Sequence, residues 1–167
     1  MRHRLRYLLI FTLLCTLLLP SCGKKTTLDT IAPFTQAVWD STLEHICSFE
    51  GEEYEQTVSV YGGYSYIFPK TYLDTKGSIQ YMFDGDEKLV GVAWFYIGNN
   101  QETAEDIYDS LNTETTQLFG KTDSNDDSTL YTSKKWTVDG RSILLVNFSQ
   151  NDEYAVQISY ISEEVNK

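Results

Sequence analysis

The chain is short of cysteine, histidine and positive charge, and each shortage removes a class of function. Of its three cysteines, Cys15 lies inside an apolar N-terminal stretch and Cys22 at its end, leaving Cys47 alone in the remainder. An internal disulfide framework is therefore excluded from the body of the chain. The two histidines are His3 and His45. A single His beyond the N-terminal segment leaves too few nitrogens for a His-based zinc site or a hydrolytic triad. Cys47 follows His45 by two positions, and such residues do not share a helix face, so the thiol reads as a small residue near the core side of a helix. Basic residues number 13 against 24 acidic. Arg2, Arg4 and Arg6 fall in the first 21 residues, so the rest carries ten basic and 24 acidic side chains, a net of −14. That excludes the basic face a nucleic-acid binder needs and a polybasic docking surface for anionic lipid.

Catalytic signatures are missing as well. The sequence holds no G-x-S-x-G, H-E-x-x-H, glycine-rich phosphate loop or C-x-x-C. A Ser–Lys or two-carboxylate site has no such signature, but no catalytic set is legible and the expectation is a non-catalytic protein without a metal. Asp123-Ser124-Asn125-Asp126-Asp127 places oxygen ligands at positions 1, 3 and 5 of a calcium loop. Position 6 is then Ser128 instead of Gly, and position 12 is Lys134 instead of Glu. It reads as a solvated acidic loop. Asp84, Asp86 and Glu87 read as a hairpin tip.

What is present begins with an address. Arg2, His3, Arg4 and Arg6 precede Tyr7–Leu19, an almost wholly apolar run too short for the ~20 residues of a spanning helix. This is the layout of a secretory signal peptide. Leu19-Pro20-Ser21-Cys22 resembles the bacterial lipobox, with Pro20 a departure at its second position. The resemblance implies removal of residues 1–21, a diacylglyceryl group and an N-acyl chain on Cys22, and no other cofactor. At ~0.8 kcal/mol per buried CH₂, two chains hold a protein at a membrane where one does not. The expected location is the cell membrane or envelope, outside the cytoplasm. Residues 22–35, with Lys24 and Lys25 beside the headgroups, form a polar tether, and residues 36–162 a single domain. The 146 residues after the signal are enough to bury roughly 68–70% of their unfolded surface.

In that domain, Trp39–Gly51 reads as a helix with Ser41 and Glu44 as a capping box. Its stripe is Trp39, Leu43, Ile46 and Phe49, and Gly51 is its stop. Strands follow at Tyr54–Tyr61, Tyr64–Phe68 and Gly77–Phe83, with Pro69–Lys76 a loop. Leu89–Ile97 is apolar on both faces, which predicts a central strand covered on both sides. A second helix starts near Asn99 and carries the stripe Ala104, Ile107, Leu111, Thr115 and Leu118 up to Gly120. After a polar loop at Lys121–Ser128 come strands at Leu130–Val138, Ser142–Phe148 and Tyr154–Ile161. The halves share an order, and Val92 to Val156, Trp94 to Ile158 and Tyr96 to Tyr160 each differ by 64. A tandem repeat over about 39–97 and 100–162 is predicted. The fold class is α+β: one antiparallel sheet of six to eight strands with both helices on one face.

Trp39…Ile46…Glu50-Gly51, Tyr81-Met82-Phe83-Asp84 with Lys88-Leu89, and Phe119-Gly120-Lys121 resemble motifs of a broad set of uncharacterised secreted bacterial proteins and lipoproteins. That set opens with W-G-x-S-x-x-x-V-x-x-x-E-G. Here Asp40, Thr42, Ile46 and Phe119 depart from its Gly, Ser, Val and Tyr. The helix-plus-meander repeat is similar in outline to the β-lactamase-inhibitor protein fold, whose members mostly bind other proteins. Neither likeness implies a catalytic set. The expectation is therefore a membrane-tethered protein-interaction module with an envelope protein partner, supported if the sheet face opposite the helices bears an exposed patch. The alternative is a carbohydrate- or cell-wall-binding module. Its candidates are Tyr61, Tyr64, Tyr66 and Tyr72 beside Gly62 and Gly63, with the segment Lys70–Lys76 facing them. Tyrosine suits sugar stacking and protein interfaces alike, and equally the half-buried faces of strands.

Overall fold

The computed structural model describes residues 29–128 and 130–166. The expected signal segment and the expected lipidation site Cys22 lie outside the described residues. The chain forms one eight-stranded antiparallel sheet and two α-helices. In chain order these are α1 (Leu43–Glu50), β1 (Glu55–Val58), β2 (Gly62–Tyr72), β3 (Thr75–Asp84), β4 (Leu89–Gly98), α2 (Gln101–Phe119), β5 (Ser124–Asp127), β6 (Tyr131–Val138), β7 (Arg141–Gln150) and β8 (Glu153–Ser162). A short 3₁₀ turn, Glu163–Asn166, follows. The strand order is β1-β2-β3-β4-β8-β7-β6-β5, so two four-stranded meanders meet along β4 and β8.

Local chemistry sets most of these boundaries. Three hairpins turn in two residues, at Leu73-Asp74, Asp139-Gly140 and Asn151-Asp152, each with both φ angles positive. Such turns match the right-handed twist of the flanking strands. The first overturns the loop expected at Pro69–Lys76. Leu73 replaces the Gly or Asn that announces such a turn, yet β2 and β3 pair up to Tyr72 and Thr75. The Asp84 carboxylate closes the β3–β4 connection by accepting from the amides of Asp86 and Lys88, both at 2.9 Å. The acidic loop expected at Lys121–Ser128 contains the four-residue edge strand β5, paired to β6. A short, charged edge discourages pairing with another chain.

Helix α1 starts later than expected. Thr42, not Ser41, caps it, accepting from the His45 amide at 3.2 Å. Ser41 accepts instead from the Val38 amide, so Trp39 precedes the helix. Asn100 caps α2 through the Thr103 amide at 2.9 Å. Gly51 and Gly120, at φ +105° and +83°, end the helices in a region that disfavours a side chain.

One core cluster joins Phe68, Ile79 and Tyr81 to Val92, Trp94, Ile143, Leu145, Ile158 and Tyr160. Ile46 of α1 and Ala104, Ile107, Leu111 and Phe119 of α2 belong to it too. Each large aliphatic or aromatic side chain buried in this way contributes about 1.5–3 kcal/mol. The buried indoles are satisfied: Trp94 donates to the Lys70 carbonyl at 3.1 Å and Trp136 to the Gly120 carbonyl at 3.0 Å. The segment before α1 is packed rather than a free tether. Ile31, Ala32 and Phe34 are buried, and Phe34 meets Tyr72 and Tyr160 edge-on. The Arg141 guanidinium donates to the carbonyls of Thr30 and Ile31 at 3.1 and 2.7 Å. The packed domain therefore extends back at least to Ile31, past the boundary expected at residue 36.

Candidate functional site

Side chains alternate across a strand, so every strand that feeds the core also builds the other face of the sheet. On β4, Val92 and Trp94 join the core, and Ala93, Phe95 and Ile97 point the other way. Strand pairing sets the neighbours of that second face. Ile97 lies beside Ala155, which lies beside Phe148, which lies beside Tyr131. The next row is Phe95, Gln157, Val146 and Ser133, and the next Ala93, Ser159, Leu144 and Lys135. With strands ~4.8 Å apart, this patch is roughly 15 Å wide. Lys135 is the one charged side chain in the three rows. Ile97 is 59% exposed, Leu144 39% and Phe148 37%.

This corrects the expectation that β4 is covered on both sides. Its first half is: Gly91 sits under Ile161 and Met82. Its second half is not, since Phe95 is half-buried and Ile97 open. Contiguous exposed apolar surface on a folded domain marks an interaction site more often than chance, because covering it removes apolar area from water.

The structure separates the four candidate tyrosines. Tyr64, 53% exposed, and half-buried Tyr66 line one cleft of about 350 Å³ with Leu43, Phe83 and Glu87. Tyr66 meets Tyr54 and Phe83 nearly perpendicularly, at 89° and 81°. Burial raises the hydroxyl pKa of Tyr61, and burial followed by the Tyr54 and Glu87 charges raises that of Tyr66. Tyr72 stands at the far end of β2. Its ring packs against Phe34 and Trp94, and its hydroxyl donates to Glu114. Of the facing segment, Lys70 is held in an ion pair with Glu50.

The two reactive-looking residues of α1 have local partners. His45 contacts the Ser41 hydroxyl through Nδ1 at 3.1 Å and meets Phe49 edge-on. Burial, then the charge of Glu52, pushes the Cys47 thiol pKa up, which lowers its thiolate fraction at neutral pH. Acidic side chains of the suspected calcium segment serve strand contacts: Asp123 accepts from the Thr137 amide and Asp126 from the Tyr131 hydroxyl, both at 2.7 Å. Among the described residues no group of three His, Cys, Asp or Glu is arranged to hold a metal. None of the described helices is long and apolar enough to cross a membrane.

Sequence reasoning misses the patch because it treats a strand that is apolar on both faces as covered on both. The available signal is that Leu144, Val146 and Phe148 interleave with Ile143 and Leu145, making β7 apolar on both sides as β4 is. It also misses a buried polar chain of four residues. Glu50 accepts from Lys70 and Tyr81, and the Tyr81 hydroxyl contacts Thr35 at 2.6 Å. The chain matches no family model, no curated protein and no solved structure.

Proposed function

We propose that this chain is a lipid-anchored protein of the cell envelope that works as a non-catalytic interaction module, docking a protein partner on the open face of its sheet. The observation that carries the docking is the exposed, nearly uncharged surface of Ile97, Leu144 and Phe148. The anchor rests on the basic segment, the apolar run and the Leu19–Cys22 lipobox. The partner fits this face with an apolar centre and a basic rim. With a net charge of −11 over the whole sequence, the chain attracts such a rim and repels a second copy of itself.

The same reading takes the fold as a duplicated unit with both helices on one face. In the β4–β8 pairing Trp94 stands opposite Ile158, Val92 opposite Tyr160 and Tyr96 opposite Val156. Residues 64 apart thus exchange places about the Trp94–Ile158 position, as two halves related by a local two-fold axis do. Both helices contribute to a single core cluster, which supports their common placement. A repeated helix-plus-meander unit agrees in outline with the β-lactamase-inhibitor protein fold, whose members mostly bind proteins.

The test is cross-linking of the anchored protein on intact cells, comparing wild type with Ile97→Lys/Phe148→Lys. One dominant heterologous protein, captured by wild type and lost in the double variant, is expected. Unaltered capture by the variant overturns the docking face. Cross-links between copies alone, or recovery of wall glycan displaced by free sugars, overturns the proposed partner. The second of these transfers the function to the Tyr64–Tyr66 cleft.

A further inference from the structure

The Tyr64–Tyr66 cleft, of about 350 Å³, lies where β2 begins and β3 ends, beside the start of α1. Its walls offer real surface. Tyr64 is 53% exposed, Tyr66 and Leu43 are half-buried, and Phe83 behind them is buried. Val58 is the cross-strand partner of Tyr64, so the two side chains stand together on one face of the hairpin. Val58 is 79% exposed and lengthens the apolar lip of the cleft.

Carboxylates complete the lining. Asp84 spends Oδ1 on the Asp86 and Lys88 amides of its own turn. Glu87 is exposed and held at φ +60° by that turn. Its charge, after burial and Tyr54, raises the Tyr66 hydroxyl pKa, so the acid and the aromatic wall address one space. Glu44 stands in the first turn of α1 and offsets the partial positive charge of that helix end. Neither Asp84 nor Glu87 has a cationic side chain within 4.0 Å among the described residues, where Lys70–Glu50 is the ion pair present. Aromatic faces attract a cation through their negative quadrupole, and a carboxylate at the same place adds a charged acceptor. Arginine fits this pair better than lysine does. Its planar guanidinium stacks on a ring, donates to a carboxylate as a fork and sheds water more readily. The cleft has the volume share of about twelve waters, so an arginine side chain enters with its stem against Tyr64 and Leu43. Val60, 88% exposed at the hairpin tip, leaves apolar surface outside the cleft that a protein covers and a small molecule does not.

We infer that the Tyr64–Tyr66 cleft binds an arginine side chain presented by another protein, with the guanidinium stacked on Tyr64 and paired with Glu87. A free guanidino compound shares this chemistry. The site lies on the α1 side of the sheet and does not depend on the docking face proposed above.

The test uses the full chain, ¹⁵N-labelled, in nonionic detergent. Titration with Nα-acetyl-arginine N-methylamide is expected to shift the Tyr64, Gly85 and Glu87 amides saturably, with a Kd on the order of 1 mM. The citrulline analogue, neutral and of nearly the same shape, is expected to bind about fivefold more weakly, and the lysine analogue about threefold. Glu87→Gln and Tyr64→Ala are each expected to weaken arginine binding about threefold or more. Both side chains are exposed, so the fold tolerates their loss, and unshifted amides elsewhere check this. Absence of saturable shifts, equal binding of the citrulline analogue, or undiminished binding by both variants overturns the site. Equal binding of the lysine analogue overturns the choice of arginine. Free L-arginine separates the sources. Binding equal to or weaker than that of the blocked form supports a protein side chain, and binding about tenfold tighter assigns a free amino acid and overturns the docking. N-acetylglucosamine that shifts the same amides where arginine does not overturns the site in favour of a carbohydrate.

Discussion

Replacing Lys70 by Met strands a carboxylate in the core. Glu50 Oε1 and Oε2 accept from Lys70 Nζ at 2.8 and 2.9 Å, and Oε1 also from the Tyr81 hydroxyl at 2.8 Å. The Glu50 side chain is 4% exposed and that of Lys70 26%. Breaking a fully buried pair by removing one partner costs about 3–5 kcal/mol. Water reaches this pair from the lysine side, so the expected loss is smaller, about 2–3 kcal/mol. At about 2–4 °C per kcal/mol for a domain of this size, Lys70→Met melts roughly 4–12 °C below wild type. Glu50→Gln in the same chain removes the stranded charge and keeps an acceptor for Tyr81. The double variant is therefore expected to recover most of the loss, with a coupling energy of about 1.5–2 kcal/mol. Urea and thermal unfolding of all four proteins, followed by circular dichroism, measures the cycle. A Lys70→Met protein within about 0.5 kcal/mol of wild type, or a double variant that merely sums the singles, refutes the reasoning.

Alkaline stability follows from the buried phenols. Burial first, then neighbouring acids, lifts the hydroxyl pKa values of Tyr72 and Tyr160 well above the ordinary tyrosine range. Burial lifts that of Tyr81 likewise, with the nearby Glu50 adding and the Thr35 contact opposing. That of Tyr108 is pushed up to about 12. Folding then retains protons that the unfolded chain releases above about pH 10, so this stability is complete below pH 10 and falls as the pH rises further. Ultraviolet titration should show these four phenols ionising only with loss of structure, and ionisation of every tyrosine near pH 10 in a folded protein contradicts this. Gly77→Ala places a Cβ 2.5 Å from the Phe95 carbonyl and 2.6 Å from the Trp94 ring. A cost of about 1–3 kcal/mol in urea is expected, and a neutral result disproves the close approach. Leu73→Asn suits the positive φ of its turn and should gain up to about 1 kcal/mol, with an unmoved urea midpoint counting against turn strain. Ile97→Lys lies on open surface, 59% exposed, and should change stability by less than about 0.5 kcal/mol. A larger loss by the same assay means the patch is core.

The contrast between the hairpins at Leu73-Asp74 and Asp139-Gly140 shows how far the residues alone carry. Both have two positive φ angles, but one contains glycine and is legible, whereas the other is held by the pairing of two long strands. The helix stops at Gly51 and Gly120, the α2 stripe and the alternation of β3 and β4 are legible because each depends on neighbours within a few residues. The short edge strand β5 is not legible, because an acidic run forms a strand only where β6 offers its open edge.

Local sequence by itself determined both helices, most of the strands and the class of fold, since period, caps and turns are short-range properties. Tertiary structure decided everything that depends on what lies across the sheet. It paired β4 with β8, packed Tyr72 against Phe34 while leaving Tyr64 open, and joined Glu50 to Lys70 across 20 residues. It also left Ile97 and Phe148 exposed while burying Ile143 and Leu145. An apolar side chain carries the same preference for burial wherever it stands, but burial requires a second surface, and only the arrangement of the whole chain supplies or withholds one.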